Sequence, residues 1–238
     1  MTGRDRIEIL AAFLIKKIHQ TKVGRFLFEL VIKDAMSSVA EISHGGNKFI
    51  FSTPNNLSRQ RVLSFATKEP ETLEWIDNIQ QGSVLWDIGA NIGLYSIYAA
   101  RAKKSLVWSF EPSVFNLEML SRNIYLNSLA DRICIVPLPL SDKLGVGKMH
   151  LTSTEWGGAL STFEQDFGWD GNALPTVFEY NTIGVSMEEA IRDLAIPKPD
   201  YIKLDVDGLE HFILRGGISV LQDVKEKYVL WACAAAGG

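Results

Sequence analysis

A chain of 238 residues, 47% hydrophobic and 22% charged, can bury a sizeable core, and it fits one large domain or a domain with an extension. Its formal charge of −4 argues against general nucleic-acid binding. Cys134 sits in an apolar run and Cys233 near the end, with no C-x-x-C, which argues against a structural disulfide or a thiolate metal site and fits a reducing compartment.

From the N-terminus, residues 4–20 read as an amphipathic helix with Ile7, Leu10, Ala11, Leu14 and Ile18 on one face, and 23–37 as a second. Residues 1–35 hold seven Lys/Arg against four Asp/Glu, so the acidic excess lies elsewhere. The expected role of this pair is to cap the catalytic domain; a membrane-surface or partner-binding pair is the sharper alternative. The longest apolar run there, 10–15, is far too short to span a bilayer, and nothing reads as a cleavable leader, so the expected location is the cytoplasm. Residues 41–53 read as a hairpin turning at His44-Gly45-Gly46-Asn47, with His44 a turn residue rather than a base. Two helical pieces follow, near 56–66 and 69–80. The segment from Lys68 to Thr72 is a candidate for the substrate rim.

From Ser83 onward strands and helices alternate, the pattern of a doubly wound, mostly parallel α/β sheet. Strands are expected at 83–88, 106–110, 133–138 and 201–204, with a fifth starting near Tyr228. Helices are expected at 92–103, 114–127, 186–195 and 209–222. Residues 147–185 are less regular and read as β-rich. In open sheets of this kind the ligand lies beyond the carboxyl ends of the strands. Asp87, Glu111, Ser141 with Asp142, and Asp205 each follow a strand at that edge. Glu111 is placed for the hydroxyls of a ribose, Ser141 and Asp142 for the amino edge of an adenine, and Asp87 for a cation or hydroxyls. Gly89 and Gly93 allow a tight turn and a close ligand approach, and the helix N-terminus after them favours an electronegative group.

The run from Asp87 to Gly93 fails the dinucleotide pattern G-x-G-x-x-G, because Asn91 and Leu94 stand where its second and third glycines belong. Its form D-x-G-x-N-x-G resembles the first motif of class I S-adenosylmethionine (SAM)-dependent methyltransferases. Residues 83–225 as a whole resemble the FkbM-like family of that class. The resemblance rests on the run from Trp86 to Tyr95, on Phe110-Glu111-Pro112-Ser113 with Asn116 and Asn123, and on Leu140-Ser141-Asp142. It continues through Leu160-Ser161-Thr162 and, most specifically, the run from Ile202 to Glu210, with Leu214 and Gly216 after it. It implies a Rossmann-like methyltransferase domain over 81–238 behind a helical and hairpin extension at 1–80. It also implies SAM as methyl donor and a hydroxyl acceptor on a sugar, polyketide or other natural product, a small molecule or glycan rather than a nucleic acid.

The cofactor set expected on that basis is Asp87, Gly89, Ala90, Asn91, Gly93, Tyr95, Glu111, Pro112, Asn116, Ser141 and Asp142. A hydroxyl acceptor needs a base at the moment of attack. Asp205 is the leading candidate, with Lys203 on the same strand face to hold its charge and Glu210 or Asp207 as further carboxylates. A metal among those three carboxylates is the lesser alternative, and His211 reads as surface or packing. Two departures from the family stand out: residues 228–233 lack the acidic residue expected in strand five, and the Ala/Gly-rich end reads as a truncation before strands six and seven, with a poorly ordered tail. An inactive SAM-binding or scaffold protein is therefore the competing function. Methylation of a nucleic-acid base is disfavoured, because Asp205-Val206-Asp207-Gly208 is not the Asn/Asp-Pro-Pro-aromatic run that holds a flipped base.

Overall fold

A computed structural model describes residues 3–168, 170–222 and 229–231. Two helices, α1 (Gly3–His19) and α2 (Lys22–Ser37), open the chain, and the Thr21 hydroxyl caps the second by accepting from the Gly24 N–H at 2.9 Å. An antiparallel hairpin follows, β1 (Val39–His44) and β2 (Asn47–Ser52), turning through Gly45 and Gly46 at positive φ. Three short helices come next: α3 (Asn56–Leu63), α4 (Phe65–Lys68) and α5 (Pro70–Asn78), the last with Pro70 in its first turn.

The central sheet is built from β3 (Val84–Ile88), β4 (Leu106–Phe110), β5 (Ile133–Val136), β9 (Tyr201–Leu204) and β10 (Val229–Trp231). All are parallel, in the order β10-β9-β3-β4-β5, so the chain reverses its direction of growth beside β3. Helices α6 (Leu94–Ala102) and α7 (Val114–Leu126) cover one face. Helices α8 (Met187–Arg192), α9 (Glu210–Arg215) and α10 (Ile218–Gln222) cover the other. Between β5 and α8 the chain forms a separate antiparallel sheet from β6 (Gly145–Leu151), β7 (Thr162–Phe163) and β8 (Phe178–Gly184), in the order β7-β6-β8.

Strand alternation divides the core in two. Leu85 and Val107 face a layer that includes Phe49, Phe51, Phe65, Ile76, Ile97 and Leu120, while Trp86, Ile88, Phe110, Ile202 and Leu204 face Met187 and Ile213. The first layer shows that residues from the hairpin to α5 share one core with the catalytic sheet. Two asparagines one turn apart, Asn123 on α7 and Asn127 at its C-cap, bind β2 to it. The Asn127 side chain exchanges two hydrogen bonds with the backbone of Ile50, and Asn123 accepts from Ser52 N–H at 2.7 Å while donating to the Ile92 carbonyl.

Three sequence expectations need correction. The helices α1 and α2 do not cap the catalytic domain: they pack chiefly on each other, and their large apolar side chains are exposed. The helix expected over 209–222 is two, broken at Gly216 and Gly217. There a Cβ would come within 2.3 Å of the Ser141 carbonyl oxygen and of the Met187 sulfur respectively, so the chain passes too close to its neighbours to carry side chains. The strand expected over 133–138 ends at Val136, and Pro137 and Pro139 explain why, since neither has an N–H for the ladder. The expectations for Cys233 and the Ala/Gly-rich end lie outside the described residues.

Candidate active site

The first element of the site is a buried polar row across three strands. The register pairs Asp87 on β3 with Ser109 on β4 and with Lys203 on β9, so all three point to the same sheet face. The Ser96 hydroxyl of α6 donates to Asp87 Oδ2 at 2.6 Å and lies 2.7 Å from the Ser109 hydroxyl. Asp87 Oδ1 takes no aligned hydrogen bond; its partner is the Lys203 ammonium at 3.1 Å. Asp87 and Lys203 are almost wholly buried. Burial works against the charge on Lys203, but Asp87 and Asp205 outweigh it and hold the ammonium above its ordinary range. Asp87 does receive a cation, then, and the cation is a side chain of this protein.

The turn after β3 brings motif and strand ends together. Gly89 has φ of +80°, and a Cβ there would lie 1.8 Å from the Asp205 carbonyl oxygen. The close passage of the β9 end by itself requires glycine here, and Gly89 also lines the space beyond the strand ends. Asn91, also at positive φ, donates its backbone N–H to Glu111 Oε2 at 2.7 Å, and Ser113 N–H donates to Glu111 Oε1 at 2.8 Å. Burial pushes Glu111 up to about 7, even though both N–H groups favour its ionised form.

Beyond the strand ends lies a cleft of about 640 Å³. Gly89, Asn91, Glu111, Pro112, Asp205 and Asp207 line one part, and Phe110, Leu138, Leu140, Phe163 and Ile213 supply an apolar part. Three carboxylates line it, and among the described residues no Lys or Arg does. That donor set suits a cationic nucleoside and is poor for a pyrophosphate. Glu111 keeps acceptor capacity beyond its backbone contacts, so it can still receive a hydroxyl.

A second cavity, about 480 Å³, opens on the other side of the same turn. Arg61, Phe65, Lys68 and Glu69 of the N-terminal segment line it, with Ala90, Tyr95, Lys203 and Asp205. Tyr95 O–H donates to Glu69 Oε2 at 2.9 Å, and the Lys203 ammonium sits 5.2 Å from the centre of the Tyr95 ring. Burial, with Glu69 next in size, holds the Tyr95 phenol well above its usual range. Asp205 is the single titratable residue among those described that lines both cavities. Its side chain is 33% exposed and 3.8 Å from the Lys203 ammonium. Burial raises its pKa, the Lys203 charge pulls the other way, and Glu69 adds to the rise.

Sequence reasoning missed a backbone crossing at the turn. The backbone of Trp156, Gly157 and Gly158 crosses over the turn and is held by four side chains. Asn55 donates to the Trp156 carbonyl and Arg61 to that of Gly157, while Asn91 and Asn116 both donate to that of Gly158. The Asn116 side-chain oxygen also accepts from Gly157 N–H at 3.0 Å. Gly157 and Gly158 gave a signal only as turn residues, because their partners lie 41 to 96 residues away.

Other expected site residues fall elsewhere. Ser141 and Asp142 line a neighbouring pocket with Lys143 and Gln165, not the 640 Å³ cleft. Glu210 is buried and turns back to accept from the N–H groups of Val206 and Gly208, so it shapes the loop and lines neither cavity. Gly93 caps α6, and a Cβ on it would meet Leu120. Pro112 lines the cleft, and its carbonyl accepts from the Tyr180 hydroxyl at 2.7 Å. Asp207 lines the cleft and accepts from Leu160 N–H; burial holds its carboxyl above the usual range. His211 is exposed against Phe212. Among the described residues no three His, Cys, Asp or Glu side chains converge as metal ligands.

Residues 87–232, more than half of the chain, match the methyltransferase FkbM domain. The chain belongs to the FkbM methyltransferase family. As a member it is a SAM-dependent enzyme, and the cleft of carboxylates without a basic side chain is compatible with that cationic donor. The hexuronic acid methyltransferase AglP of Haloferax volcanii is 26% identical over 212 residues, which are 89% of this chain and 80% of that protein. The methyltransferase sdnD of Sordaria araneosa is 25% identical over 162 residues, 59% of this chain and 62% of that protein. Among solved structures, a precorrin-6y C5,15-methyltransferase of Geobacter metallireducens is similar with a TM-score of 0.42 and 16% identity, over 71% of this chain and 62% of that one. No helix of the described FkbM chain is long and apolar enough to cross a membrane.

Proposed function

We propose that this FkbM methyltransferase methylates a hydroxyl of a sugar or other natural product, with SAM in the 640 Å³ cleft and the acceptor in the second cavity. The observation that carries the reading is the position of Asp205, on the wall between the two. The name of AglP, a hexuronic acid methyltransferase, supports a sugar as the acceptor class and an acidic sugar as the first to try.

SAM supplies a methyl group on a positively charged sulfur. The remaining work is that of the protein. Glu111, fixed by the N–H groups of Asn91 and Ser113, would receive the ribose hydroxyls of the donor. The apolar part of the cleft takes the adenine, while Asp205 and Asp207 offset positive charge. On the other side, Asp205 accepts the hydrogen bond of the acceptor hydroxyl and takes its proton as the oxygen attacks. Burial raises the basicity of the Asp205 carboxylate, and the Lys203 ammonium, 3.8 Å away, opposes that rise. The Trp156–Gly158 crossing holds the two partners in line and keeps bulk water out.

Calorimetric titration with SAM, followed by transfer of labelled methyl to a panel of glycosides and hexuronic acids, tests the reading. Saturable SAM binding with transfer to at least one hydroxyl acceptor is expected. Binding with no transfer across the panel would favour a SAM-binding or scaffold protein instead.

A further inference from the structure

The N-terminal helical hairpin carries a surface that the methyltransferase fold leaves uncovered. Thirteen large apolar side chains between Ile7 and Ile32 are 47–70% exposed. They are half of the 26 exposed large hydrophobic side chains of the described protein, gathered in its first two helices. A patch of that kind marks an interaction site.

The distribution around each helix says what fits. In α1, Ile7, Leu10, Leu14 and Ile18 form one stripe, while Ile9 and Phe13 extend the apolar surface round to the far side. In α2, Val23, Leu27 and Leu30 form one stripe and Ile32 lies opposite. One partner helix covers a single stripe and would leave the other in water. The polar remainder is mainly a narrow strip, Lys16 and His19 on α1 and Lys22, Arg25, Glu29 and Lys33 on α2, with Lys17, over the Phe13 ring, and Asp34 set within the apolar arcs. Its charge is opposite to that of the rest of the molecule. Residues 1–35 hold seven Lys/Arg against four Asp/Glu, and the other residues hold 17 against 24. Broad apolar arcs beside a basic strip are the design of helices that lie in the interface of a bilayer. Neither helix is long and apolar enough to cross one.

We infer that α1 and α2 form a docking element for an anionic phospholipid surface. The apolar arcs enter the boundary between headgroups and acyl chains, and the basic strip, clustered near the bend at Lys16, Lys22 and Arg25, contacts the phosphates. The acidic remainder of the protein is repelled by the same phosphates, so the hairpin is the part that approaches. This inference is independent of the acceptor assigned above.

The test is flotation of the full chain with vesicles of phosphatidylcholine, with and without phosphatidylglycerol. The protein should float with the anionic vesicles and much less with the neutral ones, and salt should release it. Lys16→Gln, Lys22→Gln and Arg25→Gln should each weaken the partition about fivefold, the equivalent of about 1 kcal/mol per basic side chain. Phe13→Glu with Phe26→Glu should abolish it. Both side chains are exposed, so far-UV circular dichroism and SAM affinity should remain those of wild type and exclude misfolding as the cause. Failure to float with either vesicle, or flotation that survives the double Glu substitution, would overturn the inference. So would a stable dimer in light scattering that the double substitution dissociates, without vesicle binding by either form, since a second copy would then be the occupant.

Discussion

The two cavities share a wall at Gly89, Asn91 and Asp205 and differ in charge. The larger one is lined by Glu111, Asp205 and Asp207 and by no basic side chain of the described residues. The smaller one has Arg61, Lys68 and Lys203 facing Glu69 and Asp205. A cationic donor is favoured in the cleft that lacks basic side chains, and an anionic acceptor is better received beside Arg61, Lys68 and Lys203. Under the proposed reading, this asymmetry sets the direction of methyl transfer across the wall. It also makes the wall residues separable by experiment.

The largest effect should come from the wall's backbone. Gly89→Ala adds a Cβ at positive φ, 1.8 Å from the Asp205 carbonyl oxygen, where β3 and β9 converge. Both cavities lose their shared edge at once. The cost should be about 4 kcal/mol or more, at the upper end for one substitution, and SAM binding should fall below detection. Thermal denaturation and calorimetry check it. A folded variant with wild-type stability and SAM affinity would contradict so close a passage.

Next in size is Asp205→Asn, which keeps the shape of the wall and removes its charge. Turnover should fall about a hundredfold or more, the scale of general-base catalysis, while SAM affinity falls only a few-fold, because Glu111, Asp207 and the turn still hold the donor. Equal losses in turnover and in SAM affinity would instead place Asp205 in the cofactor site.

What the sequence disclosed of this arrangement was its strand-end chemistry. Asp87, Glu111 and Asp205 follow apolar runs of strand length, and the period of two puts Lys203 on the face of Asp205. The parallel sheet, the hairpin and the glycine turn were equally local and equally legible. What stayed hidden depended on distant pairings. The lateral register makes Lys203 the partner of Asp87 as much as of Asp205, and no spacing within β9 encodes that. Glu210 looked like a spare carboxylate, but three-dimensional turn geometry brings the Val206 and Gly208 N–H groups to it. The clasp on Trp156, Gly157 and Gly158 draws on four side chains from three parts of the chain and has no one-dimensional pattern. The exposure of α1 and α2 was the outcome least accessible, because an amphipathic period looks the same whether the apolar face meets protein or something else.

Glu111 sharpens the donor side. Glu111→Ala should weaken SAM binding by roughly 1.5–3 kcal/mol, as expected when charge-assisted hydrogen bonds to the ribose are lost. The pH dependence follows from its raised pKa of about 7. Hydroxyl donors need the ionised carboxylate, so a proton on Glu111 competes with SAM. Affinity should therefore be level above pH 7 and fall as pH drops below it, by up to about tenfold per unit. Glu111→Gln should bind weakly at every pH and lose this slope. Calorimetric titrations between pH 6 and pH 8 decide it, and a slope that persists in Glu111→Gln would assign the titration to another group.

The smallest effect is expected on the acceptor side, at Lys68. Arg61 is the stronger cation of the second cavity but a poor probe, since its Nε donates to the Gly157 carbonyl and its loss would loosen the crossing as well. Lys68 is 61% exposed and lies 3.4 Å from Glu69, so part of its charge is already answered within the protein and solvent screens the rest. Lys68→Ala should therefore raise KM for an acidic acceptor only about threefold, a change of under about 1 kcal/mol. KM for the matching neutral sugar and the dissociation constant of SAM should not move. Added salt should shrink the difference between the two acceptors in wild type and leave the variant unaffected. An equal rise in KM for both acceptors would show that Lys68 acts through the shape of α4, and the charge asymmetry between the cavities would then not extend to the rim.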